Sequence, residues 1–273
     1  LETACWLARR GAGKLVLASR RGPKAPGAEA ALAAVRALGA DARVVALDVT
    51  DPAAVRSLIA RIDGKRKPLK GVVHAAAIYA DGIAAEMTPA AFQSVVAVKT
   101  DGAAALDAAT RELVASGRSL DFLILYSSAT TVLGNPAQAN YVAGNAAVEA
   151  IARIRTTAGL PTMAVAWGPI RETGALKRQA AVAEHLERLL GRPPMAAEAA
   201  LDLLDGLWAS GEPVSVVLDI DWRTLSPRMR GAARLGRVAP GEAQEDNTEF
   251  VKLIRGMDEA DARDVVAELI AEK

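Results

Sequence analysis

The stretch KLVLASRRGPKAPGAEAALAAVRALGADARVVAL, Lys14 to Leu47, decides the fold class. Its opening, Lys14–Ser19 (KLVLAS), is a short apolar run rich in branched side chains, the mark of a strand buried on both faces. Ala28–Leu38 (AEAALAAVRAL) is alanine-rich and predicts a helix, and Arg43–Leu47 (RVVAL) predicts a second strand. Strand, helix and strand in this order form a βαβ unit, whose two strands run parallel.

Working outward, the same alternation continues. Residues 1 to 10 read as an amphipathic helix that ends at Gly11 and Gly13. Downstream, Pro52–Ile62 is a helix opened by Asp51, and Gly71–His74 (GVVH) is a strand. A long helix is expected over Pro89–Thr110 and another over Arg111–Ser116, followed by the strand Asp121–Tyr126 (DFLILY). A helix around Tyr141–Thr157, the strand Thr162–Trp167, a helix over Ala196–Ala209 and a last strand at Val214–Leu218 (VSVVL) complete the series. The pattern predicts an α/β fold: a doubly wound parallel sheet of Rossmann type with helices on both faces.

Beyond this the texture changes. Arg228–Arg237 is basic and contains glycine, Val238–Asn247 is a Pro/Gly/Glu-rich linker, and Thr248–Lys273 reads as one or two amphipathic helices. This predicts a main domain over residues 1–237 with a boundary near residue 240.

Composition narrows the function classes. The chain has 273 residues, 51% of them hydrophobic, enough for one full-sized core. Lys and Arg total 33 against 32 Asp and Glu, so no global field recruits nucleic acid or an anionic membrane, and any anion site is local. The single cysteine, Cys5, excludes an internal disulfide and reads as a small core residue of a protein in a reducing cytoplasm. With two histidines, His74 and His185, a histidine-rich metal site is not expected. No apolar run reaches the roughly 18 residues of a membrane span.

A sheet of this kind binds a dinucleotide over its first strand, where a glycine-rich turn brings the pyrophosphate to a helix N-terminus. That turn is not found here, while residues 1–10 resemble the helix that follows it and Lys14–Ser19 the second strand. The first strand and its turn are therefore expected upstream of Leu1, and the chain, which opens without Met, is read as part of something longer. The end of the strand at Ser19, Arg20, Arg21 and Gly22 is where such folds meet the adenosine ribose. An acidic residue there accepts from a 2′-hydroxyl, whereas Arg pairs with a 2′-phosphate, so Arg20 and Arg21 point to NADPH. Asp48 and Val49, after the next strand, are placed to face the adenine, although an Asp at a strand end also serves as a helix cap.

The densest chemistry lies between residues 99 and 145. Tyr126-Ser127-Ser128 ends a strand, Tyr141 follows Ser128 by 13 residues, Asn145 follows Tyr141 by four, and Lys99 sits on the preceding long helix. Carbonyl reduction needs a hydroxyl to polarise the carbonyl, a proton donor for the developing alkoxide, and a cation to lower the donor's pKa. Ser128, Tyr141 and Lys99 supply these three services, and Asn145 holds a water or backbone link that feeds the proton relay. Taken singly each has an ordinary explanation: a strand-end cap, a half-buried aromatic, a surface lysine, a turn residue.

These segments resemble the ketoreductase domains of modular polyketide synthases, members of the short-chain dehydrogenase/reductase superfamily. The resemblance rests on Lys99-Thr100-Asp101-Gly102, Tyr126-Ser127-Ser128, Gly134, Gln138 and Tyr141-Val142-Ala143-Gly144-Asn145. It runs from Leu1 to about Arg237. In the wider superfamily a Lys follows the Tyr by four residues and an Asn lies on the earlier helix. Here, as in polyketide ketoreductases, the two are exchanged as Lys99 and Asn145. Ser19–Gly22 matches the family's NADPH-selecting SRRG, and Trp167-Gly168-Pro169, with Ile170 after it, matches the stretch that passes the nicotinamide. His74-Ala75-Ala76-Ala77 resembles its HAAG, with Ala77 in place of the glycine.

The resemblance implies reduction of a β-ketoacyl thioester by NADPH, with an acyl carrier protein bearing the chain and other domains of the same synthase as partners. It implies B-type stereochemistry: B-type members carry Leu-Asp-Asp where this chain has Tyr79-Ala80-Asp81, and A-type members carry a Trp where it has Leu133. Asp81 and Gln138 are thus the expected substrate and stereocontrol residues. Asn247–Lys273 resembles the linker and opening helix of an acyl carrier protein. Two rival readings stay open: a free-standing short-chain dehydrogenase acting on a small alcohol or ketone, and a reductase-like domain with a purely structural role.

Overall fold

The computed structural model describes residues 1–64, 66–171 and 180–221, apart from the side chains of 180–182 and 185. The chain divides at Ile220–Asp221 into two units, of which the first is described below. The expected basic segment, linker and helical tail beyond residue 227 lie outside the described residues.

The described elements are α1 (Glu2–Arg9), β1 (Lys14–Ser19), α2 (Ala28–Ala37), β2 (Asp41–Ala46), α3 (Pro52–Ile62), β3 (Gly71–His74), α4 (Pro89–Ala115), β4 (Phe122–Ser128), α5 (Thr130–Leu133), α6 (Ala139–Thr157), β5 (Thr162–Trp167), α7 (Ala180–Leu190), α8 (Ala197–Asp202), α9 (Leu204–Ala209) and β6 (Val214–Val217). All strand pairings are parallel, in the orders β1-β2 and β3-β4-β5-β6. Successive side chains of a strand point to opposite faces, and the central strands use both. Leu123 and Leu125 pack with Ala103 and Leu113 of α4 and Val148 and Ala152 of α6. Ile124, Met163 and Val165 pack on the other face with Trp6 of α1, Leu201 of α8 and Leu204 of α9. Helices therefore cover both faces, and β4 from Phe122 to Leu125 and β5 from Met163 to Trp167 are apolar because neither face meets water.

Among the described residues the parallel strands form two sheets, β1-β2 and β3-β4-β5-β6. The two sheets share their covering helices. α1 packs Ala4, Cys5 and Ala8 with Leu15 and Leu17 of β1, and Trp6 with β4 and β5. On the opposite face α3 and α4 pack with Leu47 and Val49 after β2 and with Val72 of β3. Here β1 departs from the expectation of a strand buried on both faces: Lys14, Ala18 and Ser19 are exposed and the residues between are half-buried. Among the described residues β1 pairs on one side only, with β2, whereas β5, paired on both sides, is buried from Thr162 to Ala166.

Two helix readings also change. α4 runs unbroken from Pro89 to Ala115 in place of two helices. No Gly or Pro interrupts it near Thr110, Arg111 pairs with Asp107 one turn back at 2.7 Å, and Leu113 continues the buried face. The single helix expected over Ala196–Ala209 is instead α8 and α9, separated at Leu203, whose amide bonds Ala200 three residues back at 3.3 Å and tightens the turn. Asp51 opens α3 as expected, its carboxylate accepting from the amides of Ala53 and Ala54 at 2.9 and 3.0 Å.

Candidate active site

In a parallel sheet every strand ends on the same side, and ligands bind beyond those carboxyl ends. Ser19 ends β1, Asp48 and Val49 follow β2, His74 ends β3 with Ala75 and Ala76 after it, Ser128 ends β4, and Pro169 and Ile170 follow β5. Every expected cofactor residue outside the helices, together with the expected catalytic residue Ser128, thus lies at the carboxyl end of one of five strands, each parallel to its neighbours.

At β1 the turn is built by glycine. Gly22 has φ +52°, and a Cβ there would sit 2.6 Å from the Ala46 amide nitrogen, so only glycine lets the chain turn against β2. Its amide donates to the Ser19 hydroxyl at 3.1 Å, which leaves Arg20 and Arg21 exposed at the tip. Neither arginine is in a salt bridge among the described residues, so both guanidinium groups face solvent without a carboxylate partner. Hydrogen bonds from Thr50 hold the Asp48 carboxylate below its ordinary range, with a smaller contribution from the charge of Arg20.

Val49 and His74 meet beneath α4. A Cβ on Gly102 would lie 2.9 Å from Val49 Cγ1 and 3.0 Å from His74 Cε1, which explains the glycine of Lys99-Thr100-Asp101-Gly102. His74 is 2% exposed, and burial, followed by the charge of Lys99, pushes its pKa down to about 4. The imidazole is therefore a neutral packing group.

The structure brings Lys99, Ser128, Tyr141 and Asn145 together. α4 and α6 cross where Gly144 faces Lys99: a Cβ at Gly144 would approach Lys99 Cβ to 3.1 Å. Lys99 is 3% exposed, and burial pushes its ammonium pKa down to about 8. Its Nζ donates to the Tyr126 carbonyl at 2.7 Å and lies 6.0 Å from the centre of the Tyr141 ring. Burial pushes the Tyr141 hydroxyl pKa above its ordinary range and the neighbouring Tyr79 adds to the rise, while hydrogen bonds with Asn145 and Ser128 oppose it. Asn145, fully buried, donates from Nδ2 to the Tyr141 carbonyl at 2.8 Å, and its Oδ1 has no hydrogen-bond partner among the described residues.

Asp81 and Gln138 are also adjacent: Gln138 Nε2 donates to both Asp81 oxygens at 3.1 Å. Three contributors escaped the sequence reading. Tyr79 stacks on Tyr141 with ring centres 4.9 Å apart. Asn140 donates to the Ala80 carbonyl at 2.8 Å and accepts the Tyr141 amide at 2.8 Å. Glu149 accepts from Ser127 at 2.7 Å and Thr131 at 2.8 Å, bracing the end of β4. Glu149 follows Asn145 by four residues and Tyr141 by eight, so helical spacing alone puts it on the same stripe of α6. No cluster of potential metal ligands occurs among the described residues.

This fold and this set of side chains define a Rossmann-like protein of the short-chain dehydrogenase/reductase type. Comparison with known proteins agrees: the family model "KR domain" matches residues 1–172. The chain is 42% identical over 231 residues to polyketide synthase GfsA of Streptomyces halstedii, covering 85% of this chain and 3% of that protein. It is 36% identical over 281 residues to GfsB of the same organism, covering 98% and 5%. Among solved structures, an A-type ketoreductase from a modular polyketide synthase superposes with TM-score 0.79 at 32% identity, covering 86% of this chain and 48% of that one. The first ketoreductase of the tylosin synthase superposes with TM-score 0.73 at 33% identity, covering 88% and 52%. The chain belongs to the KR family, the ketoreductase domains of polyketide synthases. It spans a few per cent of these synthases and about half of the solved ketoreductases. No helix among the described residues is long and apolar enough to cross a membrane.

Proposed function

We propose that this chain carries out the NADPH-dependent reduction of a β-ketoacyl thioester to the β-hydroxyacyl thioester, within a cytoplasmic polyketide synthase. An acyl carrier protein delivers the chain, and the other synthase domains are its neighbours. The observation that carries this reading is the convergence of Ser128, Tyr141, Lys99 and Asn145 at the carboxyl ends of parallel strands.

Arg20 and Arg21 would hold the 2′-phosphate of NADPH, Asp48 and Val49 would border its adenine, and Ala75, Ala76, Pro169 and Ile170 would line the site that holds its nicotinamide end. The bound cofactor supplies the hydride. Ser128 Oγ accepts the Thr130 amide at 3.3 Å, which leaves its own proton for the substrate carbonyl oxygen. As negative charge develops on that oxygen, Tyr141 Oη gives up its proton to it. The Lys99 ammonium, held over the Tyr141 ring, favours the phenolate left behind. The unpartnered Oδ1 of Asn145 is the buried acceptor for a water that restores the proton.

B-type stereochemistry follows from the retained Asp81 and the absence of Trp at Leu133. The test is turnover of a β-ketoacyl thioester on a carrier protein beside a small free ketone, with the product hydroxyl resolved by chiral chromatography. Preference for the carrier-bound thioester with B-type product is expected. Activity on the free ketone alone would favour a free-standing dehydrogenase, and none on either a structural role.

A further inference from the structure

We propose that Tyr79 is a positioning residue for the proton that Tyr141 delivers: its hydroxyl donates to the Tyr141 oxygen and leaves the Tyr141 proton directed away from it. The inference rests on the assignment of Tyr141 as proton donor. The two hydroxyl oxygens are 3.5 Å apart, Tyr79 being the donor, and the rings stack with centres 4.9 Å apart at an interplanar angle of 36°.

The contact is built by the backbone around it. Tyr79 lies in the loop between β3 and α4, and each of the next three residues is tied to the segment leading into Tyr141. Asn140 Nδ2 donates to the Ala80 carbonyl at 2.8 Å. Gln138 holds both oxygens of Asp81 at 3.1 Å. The Gly82 amide donates to the Ala137 carbonyl at 2.8 Å, and Ala137 is the single non-glycine residue with positive φ, 62°, among the described residues. A non-glycine residue stays in that region only where its surroundings hold it. The loop and the start of α6 are one tied unit, and Tyr79 is carried on it at a fixed distance from Tyr141.

The chemistry follows from donor arithmetic. A phenol has one proton and accepting lone pairs. With Tyr79 donating into the Tyr141 oxygen, the Tyr141 proton is left for the side on which Ser128 and the substrate carbonyl lie. When Tyr141 loses its proton, the Tyr79 hydroxyl remains hydrogen-bonded to the phenolate oxygen. At 52% exposure Tyr79 makes this contact while still meeting solvent.

The chain has three tyrosines, so labelling the hydroxyl-bearing Cζ of tyrosine with 13C gives three resonances. Tyr79→Phe keeps the ring and removes the hydroxyl. It should move the Tyr141 resonance and leave that of Tyr126 in place, and should lower kcat roughly three- to tenfold, the worth of one hydrogen bond, with KM within about twofold. Tyr79→Leu, which also loses the ring, should lower kcat by at least as much. An unmoved Tyr141 resonance with wild-type kcat in the Phe variant would overturn the proposal and reduce Tyr79 to a packing group. The NMR readout needs no turnover, so a moved resonance in a protein that fails to reduce the thioester would sink the functional reading and leave the contact standing.

Discussion

Gly144 on α6 faces Lys99 on α4 with no room for a side chain: a Cβ there would lie 3.1 Å from Lys99 Cβ and 3.3 Å from its Cγ. The close crossing is what lets a lysine from one helix reach under a tyrosine from the next. Gly144→Ala should cost little stability, because the better helix propensity of Ala, about 1 kcal/mol, offsets the tight contact. It should nonetheless displace Lys99 and lower kcat about tenfold, a loss of roughly 1.4 kcal/mol in transition-state stabilisation. Gly144→Val should overpack the crossing and cost about 1–3 kcal/mol. Thermal melts and turnover of both variants separate the two effects.

Tyr141→Phe keeps the ring that stacks on Tyr79 and removes the proton donor. Reduction should fall by about 100-fold or more, as expected for loss of a general acid, while NADPH affinity stays within a few fold. Fluorescence titration with NADPH and steady-state kinetics provide both readouts, and unaltered turnover would remove Tyr141 from the mechanism.

Lys99 loses its charge as pH rises through about 8, because burial lowers its pKa from 10.5. The ammonium is the form that sits over Tyr141, so kcat/KM for reduction should decline above about pH 8. Lys99→Met should be slow at every pH and lack this limb; a limb that survives the substitution would assign it to another group.

His74 carries a stability signature on the acid side. Its pKa is 6.5 in the unfolded chain and about 4 when folded, since burial disfavours the imidazolium. Between those values the unfolded chain binds a proton that the folded one does not, so stability falls as pH drops from 6.5 to 4, by up to about 3 kcal/mol. Urea midpoints across that range should show the slope, and His74→Gln should flatten it.

On the proposed reading Arg20 and Arg21 supply the preference for a 2′-phosphate. Replacing both with Ala should weaken NADPH at least about tenfold and leave NADH nearly unchanged, because charge-assisted hydrogen bonds to the phosphate are lost. Equal weakening of both cofactors would place the arginines elsewhere in the site.

Much of this protein is legible along its chain. Alternating apolar strands and amphipathic helices dictate a doubly wound parallel sheet, because only helices on both faces bury runs such as Thr162–Trp167. Spacing also put Ser128, Tyr141 and Asn145 in one constellation, since a strand end and one helical turn are local geometry. Local pattern could not reveal that β1 is half-exposed, because burial depends on how many neighbours a strand has, and among the described residues β1 pairs with β2 alone. Nor could it show why Gly102, Gly144 and Gly22 are glycines: each answers to a partner brought near by folding, respectively Val49 with His74, Lys99, and Ala46. Tyr79 is the clearest case. It precedes Tyr141 by 62 residues, and only the ties from Ala80, Asp81 and Gly82 to the start of α6 bring the two phenols together. Periodicity reports how a segment meets water, and that is local. Which side chains meet each other depends on where the strand ends and helix crossings place them, and that belongs to the tertiary structure.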